Sequence, residues 1–233
     1  MRPKTLDHVA YWLADRDAIA DFATAHLGMH VIERTERFTL VGSDARHGKL
    51  TLFAAEGPRE RGALLHVALR VSDLDAALAR LPADAAPERP RPGEAYLDLP
   101  EGVRVGLVEA ETAVEYDLDH VALLAPDPAA TAAAYVELGF AAAAPGPSGR
   151  TRVEVGGAYL ELEPGEPGSP ERPLLNHIAV LVDSAEEHIE EADELGIEVD
   201  DVVDAPNTYA VFLRGPERVR IEYVEHKPTF SLT

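Results

Sequence analysis

Four histidines stand at equivalent places in four short apolar runs that recur along the chain. The runs contain the sequences Leu-Asp-His-Val-Ala, Leu-Leu-His-Val-Ala, Leu-Asp-His-Val-Ala and Leu-Asn-His-Ile-Ala, and their histidines are His8, His66, His120 and His177. Imidazole and carboxylate groups that converge from different strands can hold a divalent metal ion and leave positions open for substrate oxygens. The histidines therefore predict a metal site whose ligands lie far apart in the sequence.

The carboxylates that would complete such a site occur in only two of the four repeats. When the last strand-like run of each repeat is aligned, the matching residues are Thr51, Gly106, Glu161 and Glu222. The sequence therefore predicts one working site with the metal ligands His120, Glu161, His177 and Glu222. The N-terminal pair of repeats, with His8 and His66, is expected to be a degenerate scaffold. Glu163 shares a strand face with Glu161 and is an alternative ligand.

A different interpretation of the two glutamates is pairing with arginine instead of a metal ion. A buried carboxylate carries a desolvation penalty of several kcal/mol unless it is paired, and Arg152 and Arg220 precede Glu161 and Glu222 in the sequence. The five remaining histidines are expected at helix ends, on helix faces or in loops, as surface residues and not as ligands. They are His26, His30, His47, His188 and His226.

The elements that must position these residues repeat with the histidines. Each histidine run alternates in the manner of a strand and is followed by a helical segment, with caps expected at Asp15, Ser72, Asp127 and Ser184. Two or three strand-like runs follow each helix. The pattern predicts an α+β fold of four βαβββ units. We expect two domains, with units one and two paired in residues 1–113 and units three and four paired in residues 114–233.

The composition of the chain limits the kinds of molecule that it is expected to bind. The net charge of −21 argues against binding to nucleic acid or to an anionic membrane surface, since both need clustered lysine and arginine. The chain has no cysteine and no long apolar stretch that would span a membrane, and its first residues are not expected to form a signal peptide. A cytoplasmic protein with a small-molecule substrate is expected. It would be a monomer or a homodimer, because units paired within one chain need no second copy to build the site.

Four βαβββ units with a histidine in each first strand resemble the vicinal oxygen chelate superfamily. That family includes glyoxalase I, methylmalonyl-CoA epimerase, fosfomycin and bleomycin resistance proteins, and extradiol ring-cleaving dioxygenases. The resemblance covers nearly the whole chain. It implies that units pair into two half-open barrels and that metal ligands come from the first and last strands of the units.

The ligand order His, Glu, His, Glu resembles that of glyoxalase I, and the runs Asn176-His-Ile-Ala-Val and Ile221-Glu-Tyr-Val-Glu are similar to motifs of its second unit. The resemblance implies isomerase or lyase chemistry on a substrate with vicinal oxygens, through a metal-polarised carbonyl or enediolate. Glu222 and Glu161 would then be the catalytic bases. The donor set suits Fe, Ni, Co, Mn or Zn and does not identify the metal.

Two alternatives remain open. The four-unit architecture resembles the extradiol dioxygenases, whose two histidines and one glutamate would correspond to His120, His177 and Glu222. That family carries an acid/base histidine in the strand of unit three, where this chain has Glu161. It also carries a tyrosine ten residues before the glutamate, where this chain has Phe212, and Tyr209 is three residues too early and lies on the opposite strand face. The second alternative is a protein without enzymatic activity that binds a drug, as bleomycin resistance proteins do. Metal content separates this alternative from the two enzymes.

Overall fold

The computed structural model describes residues 1–146 and 148–233 and divides them into four successive units. Unit one comprises β1 (Thr5–Leu13), α1 (Arg16–His26), β2 (His30–Arg34), β3 (Phe38–Gly42) and β4 (Lys49–Ala54). Unit two comprises β5 (Leu64–Val71), α2 (Leu74–Leu78), β6 (Glu94–Asp98) and β7 (Arg104–Glu109). Unit three comprises β8 (Asp117–Ala125), α3 (Pro128–Glu137), β9 (Ala141–Ala142), β10 (Thr151–Val155) and β11 (Ala158–Pro164). Unit four comprises β12 (Leu175–Val182), α4 (Ala185–Leu195), β13 (Val199–Asp204), β14 (Thr208–Arg214) and β15 (Arg220–His226).

Three units have the expected βαβββ order, and unit two differs. Its helix is followed by two strands, and an isolated bridge between Glu88 and Tyr96 stands where a third strand would pair. Prolines at 87, 90 and 92 explain the difference, because proline has no N–H group to donate to a ladder.

The helices begin close to the predicted caps. The side chains of Asp15, Asp127 and Ser184 accept hydrogen bonds from the first turns of α1, α3 and α4, as expected. The cap of α2 is Asp73 instead of Ser72, so that prediction was one residue early. No helix in the described part of the chain is long and apolar enough to cross a bilayer.

The strands form two large sheets, each made of two units. The first has the order β13-β14-β15-β12-β1-β4-β3-β2, and we call it the outer barrel because it joins units one and four. The second has the order β6-β7-β5-β8-β11-β10-β9, and we call it the inner barrel because it joins units two and three. Both are half-open barrels, so the predicted α+β fold of four units in two barrels is confirmed.

The predicted pairing of neighbouring units, one with two and three with four, is wrong. The boundary expected between residues 113 and 114 lies in the short connection from β7 to β8, two strands of the inner barrel. Two longer connections, residues 55–63 and 165–174, pass between the barrels. They lie side by side, with Glu60 N–H donating to Arg172 O (3.0 Å) and Leu174 N–H donating to Glu60 O (2.7 Å). The first strands of the four units have similar amphipathic sequences. These sequences therefore do not decide which first strand pairs with which.

Alternation along the strands directs the histidines into the barrels. In β1, Val9, Tyr11 and Leu13 are fully buried on the face that packs in the hydrophobic core. His8, Ala10 and Trp12 point to the other face, as the sequence pattern predicted. That inward face carries the polar chemistry of each barrel.

Candidate metal centre

The first and last strands of every unit lie side by side in the same register. Glu222 is paired with Ala179, two residues beyond His177. The same offset places Glu161 opposite Ala122, Gly106 opposite Ala68 and Thr51 opposite Ala10. The alignment of Thr51, Gly106, Glu161 and Glu222 made from the sequence is therefore confirmed by the ladders.

His8, His177 and Glu222 converge inside the outer barrel. The antiparallel pairing of β1 with β12 places His8 opposite Ala179 and Ala10 opposite His177, so that both imidazoles lie on one face. The Nε2 atoms of His8 and His177 are 3.0 Å apart. Glu222 Oε2 lies 3.1 Å from His8 Nε2 and 2.9 Å from His177 Nε2. In the described part of the chain, this is the group of three histidine or carboxylate donors that could hold a metal ion.

The four ligands predicted from the sequence do not come together. His177 and Glu222 lie in the outer barrel, whereas His120 and Glu161 lie in the inner barrel. The third member of the converging group is His8, which the sequence analysis assigned to a scaffold. This error follows directly from the wrong pairing of units.

Hydrogen bonds orient both imidazoles of the group. His8 Nδ1 lies 2.8 Å from Asp7 Oδ1, and His177 Nδ1 lies 2.9 Å from Asn176 Oδ1. Because both acceptors are oxygens, each ring places its proton on Nδ1 and turns a lone pair on Nε2 toward the other ring. Glu222 Oε2 is buried and has no hydrogen-bond partner of normal geometry among the described residues. In the neutral rings three lone-pair atoms thus meet at one point, where either a metal ion or a proton on His8 Nε2 can lie between them.

This donor set fits a divalent metal ion. Donor atoms about 3.0 Å apart have the spacing of neighbouring ligands at right angles around an ion with bonds of about 2.1 Å. Two histidines and one carboxylate on one side of an ion form the facial triad of non-haem iron sites. Thr51, at the fourth equivalent position, has no carboxylate to add.

The charges of the three groups are strongly coupled. Burial alone would lower the pKa of His8, but the carboxylates of Glu222 and Asp7 raise it to about 9. Burial favours the neutral acid of Glu222, yet His177 and His8 hold the pKa of this carboxyl well below its usual range. Burial lowers the pKa of His177, and Glu222 offsets this only in part. The glutamate is therefore ionised, and the proton resides on His8 when no metal competes for it.

Asp7 connects the metal centre to two further groups. Its Oδ1 accepts hydrogen bonds from His8 Nδ1 and from Lys49 Nζ, both at 2.8 Å, and its Oδ2 lies 3.0 Å from His226 Nε2. Burial would raise the pKa of Asp7, but Lys49, His226 and His8 lower it well below the usual range. A buried carboxylate therefore holds a candidate metal-ligand histidine, a lysine and a second histidine in fixed positions.

The inner barrel has the same residue types but a different arrangement. His66 Nε2 lies 3.0 Å from His120 Nε2, as in the outer barrel. Glu161 is turned to other partners, since its Oε1 accepts from Arg150 Nη1 (2.9 Å) and its Oε2 accepts from Ser148 Oγ (2.7 Å). The interpretation that arginine pairs with this glutamate thus describes its contacts, although the partner is Arg150 and not Arg152. Glu163 binds the same arginine at 3.1 Å and is more exposed.

The hydrogen bonding of the inner histidines also differs. His120 Nδ1 lies 2.7 Å from Asp119 Oδ1, but the residue before His66 is Leu65, which offers no side-chain acceptor. His66 can therefore keep its proton on Nε2 and donate it to His120 Nε2. Burial, together with His120 and Arg104, lowers the pKa of His66 to about 2. The inner pair is satisfied as a neutral hydrogen bond, whereas the outer pair needs an additional proton or a metal ion between its lone pairs.

A cavity of about 450 Å³ is lined by His8, His177 and Glu222. Its walls are largely apolar and include four phenylalanines and a tryptophan, which are Trp12, Phe38, Phe53, Phe212 and Phe230. The segment from Asp201 to Thr208 and the C-terminal residues Phe230 and Leu232 also border it. This volume is in the range of pockets that hold small molecules.

Phe212 occupies the position at which the dioxygenases carry a tyrosine. It is paired with Glu222 in the β14–β15 ladder, and its ring centroid lies 5.1 Å from that of His177. Tyr209 points away, and its hydroxyl donates to Glu186 Oε2 at 2.9 Å. The prediction that Tyr209 lies on the opposite strand face is confirmed.

Sequence reasoning missed His8 as a candidate metal ligand. The expectation that His188 and His226 lie on the surface is also wrong, because His188 is buried and the His226 side chain lines the cavity. A polar residue precedes His8, His120 and His177, and a leucine precedes His66, so the neighbouring residue is a usable signal for an oriented imidazole. This signal would have restored His8 to the candidates. It would not have excluded His120, and nothing local in the sequence marks His226.

Comparison with known proteins supports the fold. The family model described as Glyoxalase/Bleomycin resistance protein/Dioxygenase superfamily matches residues 5–103 and 117–223. No curated protein sequence matches the chain.

Several solved structures have the same arrangement at low sequence identity. A Bacillus subtilis protein described provisionally as a dioxygenase superposes with a TM-score of 0.78 at 17% identity, covering 98% of this chain and 87% of its own. Glyoxalase I from Zea mays superposes with a TM-score of 0.73 at 16% identity, covering 95% of this chain and 92% of its own. The cppA protein from Streptococcus pneumoniae gives 0.59 at 11% identity, covering 96% and 98%. These likenesses show the fold and leave the chemistry to the residues of the site.

Proposed function

Because the chain belongs to the Glyoxalase/Bleomycin resistance protein/Dioxygenase superfamily, we propose that it is a metal-dependent enzyme acting on a small substrate with two adjacent oxygen atoms. His8, His177 and Glu222 would hold the metal ion. The chemistry that the site supports best is ring cleavage of a catechol-like substrate by dioxygen, which was an alternative in the sequence analysis.

The observation that carries this proposal is the number and type of converging donors. Two imidazole nitrogens and one carboxylate oxygen lie within 3.1 Å of one another. The fourth equivalent position is Thr51. A facial triad leaves positions open for a bidentate diol and for dioxygen, and it is the ligand set of non-haem iron oxygenases. When bound, the metal would supply a Lewis acid and a common binding point for both reactants.

The surrounding residues have roles that can be stated from their contacts. Asp7 and Asn176 fix the orientation of the two imidazoles. Glu222 supplies the negative charge that offsets part of the charge of a divalent ion. Phe53 and Phe212, whose rings lie 6.1 and 5.1 Å from that of His177, would pack against an aromatic substrate and exclude water.

The glyoxalase-like chemistry that the sequence favoured has lost the ligand set on which it was based. That interpretation required a fourth ligand and a second carboxylate base, and it assigned Glu161 to both roles. Glu161 lies in the inner barrel and is paired with Arg150. Glu222 is therefore the single acidic ligand available in the outer barrel group, which favours the three-ligand chemistry.

The test is metal content measured together with oxygen consumption. Protein purified without oxygen and reconstituted with Fe(II) is expected to hold one metal ion per chain and to consume oxygen with catechols, forming a yellow ring-cleavage product. Glu222→Gln should abolish both properties. The matched control is Glu161→Gln, which removes the equivalent glutamate of the inner barrel and should retain both.

Two results would contradict the proposal. If wild-type protein binds no divalent metal after reconstitution, the chain is a binding protein, the second alternative above. If it binds one metal ion but no catechol promotes oxygen uptake, the metal centre stands and isomerase substrates become the next assays.

A further inference from the structure

We propose that a pocket at the junction of the two barrels binds the carboxylate group of a small organic acid through a cluster of arginines. We call it the junction pocket, and its charged lining consists of Arg61, Glu171, Arg214, Glu217, Arg218 and Arg220. The site itself does not depend on the proposed metal chemistry. One source of the carboxylate, a side arm of the substrate, does rest on the proposed function.

The junction pocket has a volume of about 230 Å³. It is lined by both connections that pass between the barrels and by the turn that joins β14 to β15. Three residues, Trp12, Asn176 and Arg220, line both this pocket and the cavity of about 450 Å³ in the outer barrel. The two spaces therefore adjoin at these residues.

The charge of the junction pocket is opposite in sign to that of the whole chain. Its four arginines stand against three carboxylates, which are Glu171, Glu217 and, paired with two of the arginines, Asp200. Asp98 lies 3.6 Å from Arg61, but its closer partner is Arg104, at 2.7 Å. One positive charge is thus left over in a chain of net charge −21. This excess suits a singly charged carboxylate better than a doubly charged phosphate.

Arg218 is the guanidinium of this pocket with the fewest partners. In the described part of the chain it forms no ion pair, whereas Arg214 and Arg220 share Asp200. Its neighbour Glu217 is turned to another unit, since Glu217 Oε1 accepts from Thr131 Oγ1 at 2.9 Å. All donors of the Arg218 guanidinium are therefore available to a ligand.

The backbone conformation at Arg218 also points to a ligand. The turns from β6 to β7 and from β14 to β15 have matching sequences, Pro100-Glu-Gly-Val-Arg and Pro216-Glu-Arg-Val-Arg. The third residue has a positive φ in both turns, 79° for Gly102 and 61° for Arg218. Glycine adopts this left-handed conformation freely, but a residue with a side chain is strained in it. Strained residues of this kind cluster at functional sites, and here the strain places an arginine at the pocket.

The uncharged walls indicate what carries the carboxylate. Trp12, Pro173 and Leu175 add apolar surface to the lining. A guanidinium group can bind a carboxylate through two parallel hydrogen bonds, which fixes the orientation of the acid. The ligand that matches both features is a small acid with a short apolar or aromatic body.

The test of the site is a fluorescence titration of metal-free protein, because Trp12 is the single tryptophan of the chain and lines the pocket. The probe is phenylacetate, and phenylacetamide is its uncharged analogue. We expect phenylacetate to change the emission of Trp12 saturably and phenylacetamide to bind at least tenfold more weakly. Calorimetry of the same titrations gives the affinities if the emission does not change.

Arg218→Gly removes the guanidinium and restores the residue that the turn favours. The variant should bind phenylacetate about tenfold more weakly, as expected for the loss of a charge-assisted hydrogen bond. Its Tm should rise by roughly 2 to 4 °C, because glycine relieves the strain. Arg89→Gly is the matched control, since Arg89 is an exposed arginine that pairs with Asp75 and does not line the pocket. It should bind phenylacetate as wild type does.

Steady-state kinetics of Fe(II)-loaded protein distinguish the two sources of the carboxylate. If the acid is a side arm of the substrate, Arg218→Gly raises KM for dihydrocaffeate, a catechol with a carboxylate arm, and leaves KM for methylcatechol unchanged. If the acid is a separate ligand, the variant has the KM of wild type for both catechols. If no catechol is cleaved, the proposed function fails, while the titration still decides whether the pocket binds a carboxylate.

Three results would overturn the inference. The first is wild-type protein that shows neither an emission change nor heat with phenylacetate. The second is equal affinity, within twofold, of wild type and Arg218→Gly for phenylacetate, or of wild type for phenylacetate and phenylacetamide. The third is a lower Tm for Arg218→Gly than for wild type, because the arginine would then contribute to stability and the strain would need no ligand to explain it.

Discussion

The outer and inner barrels have the same inventory at four equivalent positions. Each has two histidines, one glutamate and one small residue, namely His8, His177, Glu222 and Thr51 in the outer barrel and His66, His120, Glu161 and Gly106 in the inner barrel. The histidine pairs are even equally spaced, with 3.0 Å between Nε2 atoms in both. Residue type and register alone therefore do not bring three metal-binding donors together.

The difference lies in the neighbours of these residues. In the outer barrel, Asp7 and Asn176 take the Nδ1 protons of both histidines, and no arginine is paired with Glu222 among the described residues. In the inner barrel, Leu65 leaves His66 free to donate to His120, and Arg150 neutralises Glu161. The hydrogen-bond partners behind the donor residues thus decide whether lone pairs or protons face the centre of a barrel.

The largest effect on metal binding should come from removing a histidine of the outer barrel, compared with removing its counterpart in the inner barrel. His8→Ala is expected to remove bound metal and all metal-dependent activity, because one of three ligands is lost. His66→Ala should leave one metal ion per chain and activity within about twofold. Elemental analysis and oxygen uptake check both. Equal loss from the two variants would show that the barrels do not differ in the way described.

Thr51→Glu tests whether the open fourth position matters. The substitution would recreate the set of two histidines and two glutamates in one barrel, which the sequence analysis predicted with other residues. We expect metal to bind at least as tightly as in wild type, while oxygen uptake with catechols falls by roughly 100-fold or more because a position for substrate is filled. Metal titration and initial rates measure the two quantities. Undiminished oxygen uptake would contradict a three-ligand mechanism.

A smaller effect on metal affinity is expected when the residue that accepts the Nδ1 proton of one imidazole is replaced by the kind of residue found in the other barrel. Asn176→Leu gives His177 the same kind of neighbour as His66, so that its Nδ1 loses an acceptor. Metal affinity should fall by about 10- to 100-fold, which is the usual cost of removing such a partner. Leu65→Asn in the inner barrel is the matched control and should not change the affinity. Competition with a chelator gives both constants.

The smallest effect is expected on the free energy of unfolding of metal-free protein. The pH dependence of this free energy has opposite signs for the histidines of the two barrels. The pKa of His8 is raised to about 9, so this residue stabilises the fold below about pH 6.5, and the contribution is lost as pH rises through 9. The pKa of His66 is lowered to about 2, so burying it neutral costs stability as pH falls below about 6.5.

Urea denaturation between pH 5 and pH 9 measures both contributions. His66→Leu should reduce the loss of stability on acidification by up to about 1.4 kcal/mol per pH unit below 6.5, whereas His8→Gln should reduce the loss between pH 7 and 9. The same pH dependence in both variants would mean that the two histidines are in similar states.

Much of the fold could be predicted because it is set locally. The repeated runs place a histidine in the first strand of each unit, alternation fixes its face, and caps at Asp15, Asp127 and Ser184 start three helices. The alignment of Glu222 with Thr51 was also possible from the sequence, since it needs only the spacing within each unit. Two of the three donors of the candidate metal centre, His177 and Glu222, follow from unit four alone.

The tertiary structure decided which units share a barrel, and with this the identity of the third donor. Hydrophobic alternation requires each first strand to bury one face and to pair along one edge. The first strands of the four units are similar, so this requirement can be met by more than one set of pairings. The pairing of β1 with β12 brings His8 to His177, and the pairing of β5 with β8 separates His120 and Glu161 from them. A candidate metal centre built across two units depends on contacts between residues about 170 positions apart, and these contacts exist only once the two units have paired in one barrel.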